Sequence, residues 1–410
     1  MDNDFASIES ESSFFARDEM NNQKVIFGAG TINQVGSLAS ELGKNVLLVT
    51  DSGLSLVGHC QRVKDLLLQS DLNVTLFDKS IENPTETSVQ ACVQVASDAK
   101  VDLIIGLGGG SSMDTAKGCN FILSNGGRMS DYWGIGKASK TMLPLLAVPT
   151  TAGTGSECQS FALISEDQTH KKMACGDKKA LPAVTILDPE LTLSLPSAVT
   201  ACTGVDALAH ALESLVTTKR NESSIRHSRI AFKLIHENLP LVFETPDDLV
   251  SRGKVLLGAS HAGAAIERSM LGAAHSMANP LTASRAVVHG IAVGMVLPAV
   301  IKFNAVDPNT NSIYAEVARD TGLAPSSSSD YIATQALIDR INRILELAKF
   351  PSVLDEFGFS KSDIQSLAMD ASEQWTANFN PRLVTASDFE NLYSSLFSSS
   401  PCESQSMQAS

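Results

Sequence analysis

No stretch of this chain approaches the roughly 18 consecutive apolar residues that a membrane-spanning helix needs. Basic charge is also short: 31 Lys and Arg stand against 45 Asp and Glu, a formal net charge of -14. A surface built to offset nucleic-acid phosphates needs the opposite balance. The opening MDNDFASIESESS is acidic and has no apolar stretch, whereas signal and transit peptides carry positive charge early. The seven cysteines, at 60, 92, 119, 158, 175, 202 and 402, include no CxxC pair. Their odd number and scatter argue against a disulfide framework or a thiolate metal cluster. A cytoplasmic protein is expected, with no nucleic-acid or membrane partner.

What the chain does have is ordinary globular composition, 43% hydrophobic and 19% charged over 410 residues. Between 24 and 196, short apolar runs alternate with helical text: NVLLVT at 45–50, NVTLF at 73–77, DLIIGLGGG at 102–110 and LPLLAVPTT at 143–151. That pattern predicts βαβ units and a parallel sheet. From 197 to 396 the spacing turns helical, at 205–216, 223–238, 253–278, 290–303 and 331–348. The expected organisation is a flexible N-terminus over 1–23, an α/β domain over 24–196, an all-α domain over 197–396 and a serine-rich disordered tail over 397–410. No internal repeat is seen.

GLGGGSSMDTAKG at 106–118 follows one such run and opens a helix. Glycines let backbone approach a pyrophosphate, and the helix N-terminus offers N–H groups to it. Gly108, Gly109, Gly110, Ser111 and Asp114 are therefore cofactor candidates, although a plain strand-to-helix turn reads the same way. Asp51, at the end of the first strong strand, can take ribose hydroxyls and repel a 2′-phosphate, or it can simply cap a helix. VPTTAGTGSE at 148–157 is a third Gly/Thr-rich loop after a strand.

VDALAHALE puts Asp206 and His210 four residues apart, on one helix face. His275 and His289 lie in equally apolar text, where an imidazole needs a partner. One carboxylate and three imidazoles suit Fe²⁺ or Zn²⁺ better than Mg²⁺ or Ca²⁺. His59, His170, His227, His236 and His261 read as structural or surface residues, with His261 the rival to His275. Phe161 and Trp133 fit either an apolar pocket or the core.

With FGAGT at 27–31, NPT at 83–85, GGGSSMDTAK, PTTAGTGSE, DPELTLSLP, GVDALAHALE, HSMANPL, VVHG and NPR at 380–382 in this order, the chain resembles the iron-containing, or group III, alcohol dehydrogenases of the dehydroquinate synthase-like superfamily. The resemblance spans about 24–396. It implies a Rossmann-like N-terminal domain, a helical C-terminal domain and an active site in the cleft between them. It implies metal ligands at Asp206, His210, His275 and His289. It implies NAD contacts at Asp51, Asn83, Gly110, Ser111, Thr150, Thr151 and Thr154, with Lys172 and Leu191 in addition. The expected activity is hydride exchange between a small alcohol, or its aldehyde or ketone, and NAD(H). One divalent ion, Fe²⁺ or else Zn²⁺, polarises the substrate oxygen, and a homodimer or larger homo-oligomer is expected.

One position departs from the family. Many members carry a His four residues after the third ligand, and Asn279 stands there. Three rivals remain. A hydroxyacid-oxoacid transhydrogenase would keep its cofactor bound through turnover. A dehydroquinate-synthase-like lyase would need several cations around its substrate, but only Arg268 and Arg285 are close to the histidines in sequence. A non-catalytic metal- or nucleotide-binding protein would turn over no alcohol.

Overall fold

A computed structural model describes Phe15 and residues 23–168 and 171–398. The expected flexible N-terminus (Phe15 and Gln23 apart), His170 and residues 399–410 fall outside the described residues. The strands are β1 (Lys24–Phe27), β2 (Asn45–Val49), β3 (Asn73–Phe77), β4 (Leu103–Gly108), β5 (Gly134–Ile135), β6 (Leu145–Pro149), β7 (Phe161–Ser165), β8 (Lys172–Gly176) and β9 (Val184–Leu187). The helices are α1 (Val35–Ser40), α2 (Ser52–Leu56), α3 (His59–Leu68), α4 (Glu86–Asp98), α5 (Gly110–Asn125), α6 (Ser197–Val216), α7 (Glu222–Glu244), α8 (Leu249–Ser269), α9 (Ala273–Arg285), α10 (His289–Asn304), α11 (Pro308–Asp320), α12 (Asp330–Leu347), α13 (Ile364–Ser372) and α14 (Ala386–Ser394).

Six strands form one sheet in the order β1-β9-β6-β4-β2-β3, every neighbouring pair parallel. Both faces are covered, which is why the strands read as continuous apolar runs. On β2, Leu47 and Val49 face a core shared with α4 and α5, while Val46 and Leu48 face one shared with α1 and α3. A small second sheet, β5-β8-β7, pairs β7 with β8 antiparallel. After β9 the described residues hold helices and no further strand. No helix among them is long and apolar enough to cross a membrane.

The chain divides into two compact units, Met1–Met270 and Leu271–Ser410. The first holds both sheets and the helices through α8. Its α6 and α7 approach closely at Gly204, where a Cβ would lie 2.4 Å from Leu239 Cδ1. In the second, the buried Tyr393 of α14 donates from its hydroxyl to the Met277 carbonyl of α9 at 2.7 Å.

Two stretches differ from expectation. The helical text at 253–278 is broken: α8 stops at Ser269, Met270 takes φ 84, and α9 restarts after Gly272. Side chains claim the last carbonyls of α8, Asn221 Nδ2 donating to Arg268 O (2.9 Å) and Thr217 Oγ1 to Ser269 O (3.0 Å). With those acceptors engaged, the helix does not need to run on. The serine-rich end is also held at its start. Leu396 and Phe397 are buried, and the Ser398 N–H donates to Asp355 Oδ2 at 2.8 Å.

Candidate cofactor and metal sites

β4 ends at Gly108 and α5 begins at Gly110, with no side chain capping its first turn. Those N–H groups are therefore available to an anion. Gly108 adopts φ 145, and a Cβ there would meet Ser112 Oγ at 2.6 Å. A Cβ on Gly109 would lie 3.2 Å from Thr151 Cγ2, and one on Gly110 would lie 2.8 Å from Thr154 Cγ2. The Thr150 N–H donates to Gly108 O at 3.1 Å. The glycine loop and the Thr150–Thr154 loop thus touch backbone to side chain, a spacing that only glycine allows. Such a cradle fits a pyrophosphate.

Asp51 caps a helix and also faces the glycine loop. Its Oδ1 caps α2, accepting from Leu54 N at 3.0 Å. Its Oδ2 lies 3.4 Å from Ser112 Oγ, beside the glycine loop. Asn83 takes φ 51, a left-handed turn that Asn tolerates, and the next carbonyl, of Pro84, accepts from Ser165 N at 2.8 Å. Lys172 is exposed on β8; desolvation by the surrounding protein pulls its pKa down, while Asp114, Asp206 and Glu82 act to raise it. Ser111 is half-buried in the first turn of α5. Leu191 is fully buried in the apolar core. Trp133 is half-exposed, and Phe161 covers Gly176 on the paired strand, where a Cβ would meet its ring at 2.4 Å.

Beneath the cradle, Asp114 and Lys117 are buried on α5. Asp114 Oδ1 accepts from Ser156 Oγ at 3.0 Å. Burial pushes its carboxyl from 3.8 up to about 6, with Lys117, Ser156 and Lys172 pulling the other way. Between about pH 4 and 6 the folded chain therefore keeps a proton that the unfolded chain has released. The contribution of this carboxyl to stability is full below about pH 4 and declines as pH rises through about 6. Asp114→Asn removes that titration. The melting temperature of the variant minus that of the wild type is expected to climb between pH 4 and 6.5, and a flat difference would show that Asp114 stays ionised in the fold.

The proposed metal ligands sit in two pairs, each described within its own unit. Asp206 and His210 face one another on α6, His210 Nε2 lying 3.3 Å from Asp206 Oδ1, both buried. Ser214 fixes the next turn by donating to His210 O at 2.6 Å. On the other unit, His275 of α9 and His289, the first residue of α10, bring their ring centroids to 5.4 Å. Asn380, of the NPR motif, accepts from Ala273 N (3.2 Å) and donates to Asn304 Oδ1 (2.7 Å), tying the start of α9 to the end of α10. The rival His261 is engaged elsewhere. Its Nδ1 lies 2.8 Å from His227 Nδ1, and its ring stacks on Phe15 at 4.3 Å. His236 stacks on Phe232, and His59 Nε2 lies 2.8 Å from Ser194 Oγ.

Asn279 is half-buried on α9, its Nδ2 donating to Gln374 Oε1 at 3.0 Å. An imidazole there can keep that donor in one tautomer, leaving its second nitrogen to titrate. Asn279→His is expected to retain activity within about tenfold and to add a titration near pH ~6.5 to the rate profile. Superimposable profiles of turnover against pH for the two forms would remove position 279 from the proton path.

Residues 22–189 match the iron-containing alcohol dehydrogenase family, and residues 200–397 match the C-terminal part of the Fe-containing alcohol dehydrogenase family. The NAD-dependent methanol dehydrogenase of Bacillus methanolicus is 33% identical over 368 residues, covering 90% of this chain and 96% of that protein. Alcohol dehydrogenase 4 of Schizosaccharomyces pombe is 32% identical over 371 residues, covering 90% of this chain and 86% of its own length. The solved structure of a 1,3-propanediol oxidoreductase superposes with a TM-score of 0.88 at 30% identity, covering 91% of this chain and 98% of that one. With sequence matches running almost from one end to the other and the same fold beneath them, the chain belongs to the iron-containing alcohol dehydrogenase family.

Proposed function

We propose that this chain is a metal-dependent oxidoreductase that exchanges a hydride between a small alcohol, or the corresponding aldehyde or ketone, and NAD(H). The observation that carries the reading is a glycine-only phosphate cradle in the same compact unit as the buried Asp206–His210 pair. Gly108, Gly109, Gly110 and Ser111 would take the pyrophosphate from one side, and Thr150, Thr151 and Thr154 from the other. Asp51 would accept from the ribose hydroxyls, next to Ser112. Asn83, Lys172 and Leu191 would complete the cofactor contacts, and Asp114 would support them through Ser156.

Asp206, His210, His275 and His289 would hold one divalent ion, Fe²⁺ by family membership or Zn²⁺ by the same donor chemistry. When bound, such an ion supplies Lewis-acid polarisation of the substrate oxygen. The chain's own residues hold the reacting partners in register and keep water out. Asn279 cannot take the alcohol proton near neutral pH, so that proton would leave through a ribose hydroxyl or through water. A short-chain substrate is favoured by relatives named for methanol and 1,3-propanediol. Six free cysteines among the described residues fit a reducing, cytoplasmic setting. A homodimer or larger homo-oligomer is proposed as the working state, to be read by size-exclusion chromatography with light scattering.

The test is a panel of short alcohols and aldehydes with NAD(H) and NADP(H), following the absorbance of the reduced nicotinamide. Turnover with NAD(H) and a short alcohol is expected. Silence across the panel with metal-loaded protein would overturn the reading, and a cofactor that stays bound through turnover would replace it with a transhydrogenase.

A further inference from the structure

Lys117 stands in the second turn beyond the cradle and has no solvent contact. An ammonium has three protons to donate, and all three are placed: on Ser156 O at 2.6 Å, on Ser156 Oγ at 2.8 Å and on Phe161 O at 3.0 Å. The Ser156 hydroxyl in turn donates to Asp114 Oδ1 at 3.0 Å, so carboxylate, hydroxyl and ammonium form one connected set. Every acceptor in it is buried or nearly so, and none can be replaced by water without opening the core.

The set joins two pieces of chain that meet again at the cradle. Lys117 lies seven residues, or two helical turns, after Gly110, on the same stretch of α5. Ser156 lies two residues after Thr154, which faces Gly110. Thr154 is braced by its neighbours, its carbonyl accepting from Gln159 Nε2 at 2.7 Å and its hydroxyl from Ser156 N at 3.3 Å. The next residue, Gly155, takes φ 61 against α8, where a Cβ would meet Gly263 Cα at 2.5 Å. The loop is thus seated on α8 behind, on Lys117 below and on Gly110 in front.

We infer that Lys117 is a positioning residue for the dinucleotide: by clamping Ser156 and Phe161 to α5, it fixes the separation between the glycine edge and the threonine edge of the phosphate cradle. The inference rests on the cofactor reading above. A neutral side chain of similar length cannot do this, because two main-chain carbonyls and one hydroxyl would lose their donor together. The clamp acts on dinucleotide affinity, since its acceptors are the loop and strand that follow the threonine edge of the cradle, and the alcohol should be bound as before.

The test uses Lys117→Met, Ser156→Ala and the charge-neutral pair Asp114→Asn with Lys117→Met, assayed as full-length metal-loaded protein. NADH affinity is read by fluorescence titration, KM is measured for NAD⁺ and for one alcohol, and the melting temperature is recorded. Lys117→Met is expected to raise the NADH Kd and the KM for NAD⁺ at least tenfold, with the KM for alcohol within about twofold. The double variant should recover part of the melting temperature, because the carboxylate bonded to the clamp through Ser156 is removed with the ammonium, while NADH affinity stays low. If affinity returns along with stability, Lys117 serves the fold alone and the inference is overturned. Should Lys117→Met not fold, Ser156→Ala decides: a threefold or greater rise in NADH Kd at unchanged melting temperature supports the clamp, and an unchanged Kd overturns it. A wild type that binds no NADH would overturn the cofactor reading itself, and this inference with it. Wild-type binding with unchanged variants would overturn the clamp alone.

Discussion

His275→Ala is expected to empty the chain of its divalent ion and to lower turnover by about a thousandfold or more, with the fold intact. A thousandfold corresponds to roughly 4 kcal/mol of transition-state stabilisation, within what Lewis-acid polarisation supplies. His275 sits near the start of α9, whose first N–H, of Ala273, is held by Asn380, and whose middle is held by Tyr393. Alanine is the best helix former, so those anchors should keep α9 in place. Metal analysis of the purified variant, beside its melting curve, is the check. Full metal content with normal melting would contradict the assignment. It would also reopen the question of His261, which the structure instead pairs with His227 under Phe15.

Asp51→Ser is expected to erase most of the preference for NAD(H), improving kcat/KM with NADP(H) roughly ten- to hundredfold relative to NAD(H), about 1.4–2.7 kcal/mol. Two negative groups in one site repel, and removing the carboxylate lifts that repulsion from a 2′-phosphate. Serine is the informative replacement because it remains a good N-cap. The bond to Leu54 N that begins α2 can persist, and with it the local fold. A ratio of the two kcat/KM values that does not move would leave Asp51 as a helix cap only. A wild type that prefers NADPH would contradict the reading from the start.

The central strands were legible because a parallel sheet covered on both faces writes itself as uninterrupted apolar runs. β2, β3, β4 and β6 all fall within the runs read from the sequence. The edge strand β1 and its neighbour β9 are four residues long, and the sequence carries no long run for either. They are joined through Asp188, which accepts from Ile32 N at 3.0 Å and Gly30 N at 3.2 Å, so FGAGT and DPELT meet across the end of the sheet. The β7-β8 pair mixes polar and apolar residues and has no strong strand signature. The break at Met270 was hidden because the side chains that end α8 come from Thr217 and Asn221, some fifty residues earlier in the chain.

The candidate sites were legible where chemistry is local. An Asp and a His at i, i+4 must share a helix face, and Asp206 and His210 do. The choice between cap and ribose ligand at Asp51 could not be made from sequence, since capping engages one oxygen and leaves the other turned to Ser112 beside the glycine loop. Lys117 lies at the end of the GGGSSMDTAK motif, where the phosphate-loop pattern gives it no separate role. Its signal was present: a lysine set between Thr115-Ala116 and Gly118-Cys119, among small residues that suit close packing, must find acceptors inside the protein. Asn380 shows the converse. Its motif pointed to the site, whereas its amide ties together the two helices that bear His275 and His289.

The most direct test of hydride exchange is isotopic. Metal-loaded protein is incubated with NAD⁺ and a short primary alcohol carrying deuterium on both C1 positions, and the reduced cofactor is examined by mass spectrometry and proton NMR. One deuterium per reduced nicotinamide is expected, carried at the ring carbon that accepts the hydride, and none in the His275→Ala variant. Reduced cofactor without deuterium, or no reduction by metal-loaded protein with any short alcohol, would contradict hydride exchange.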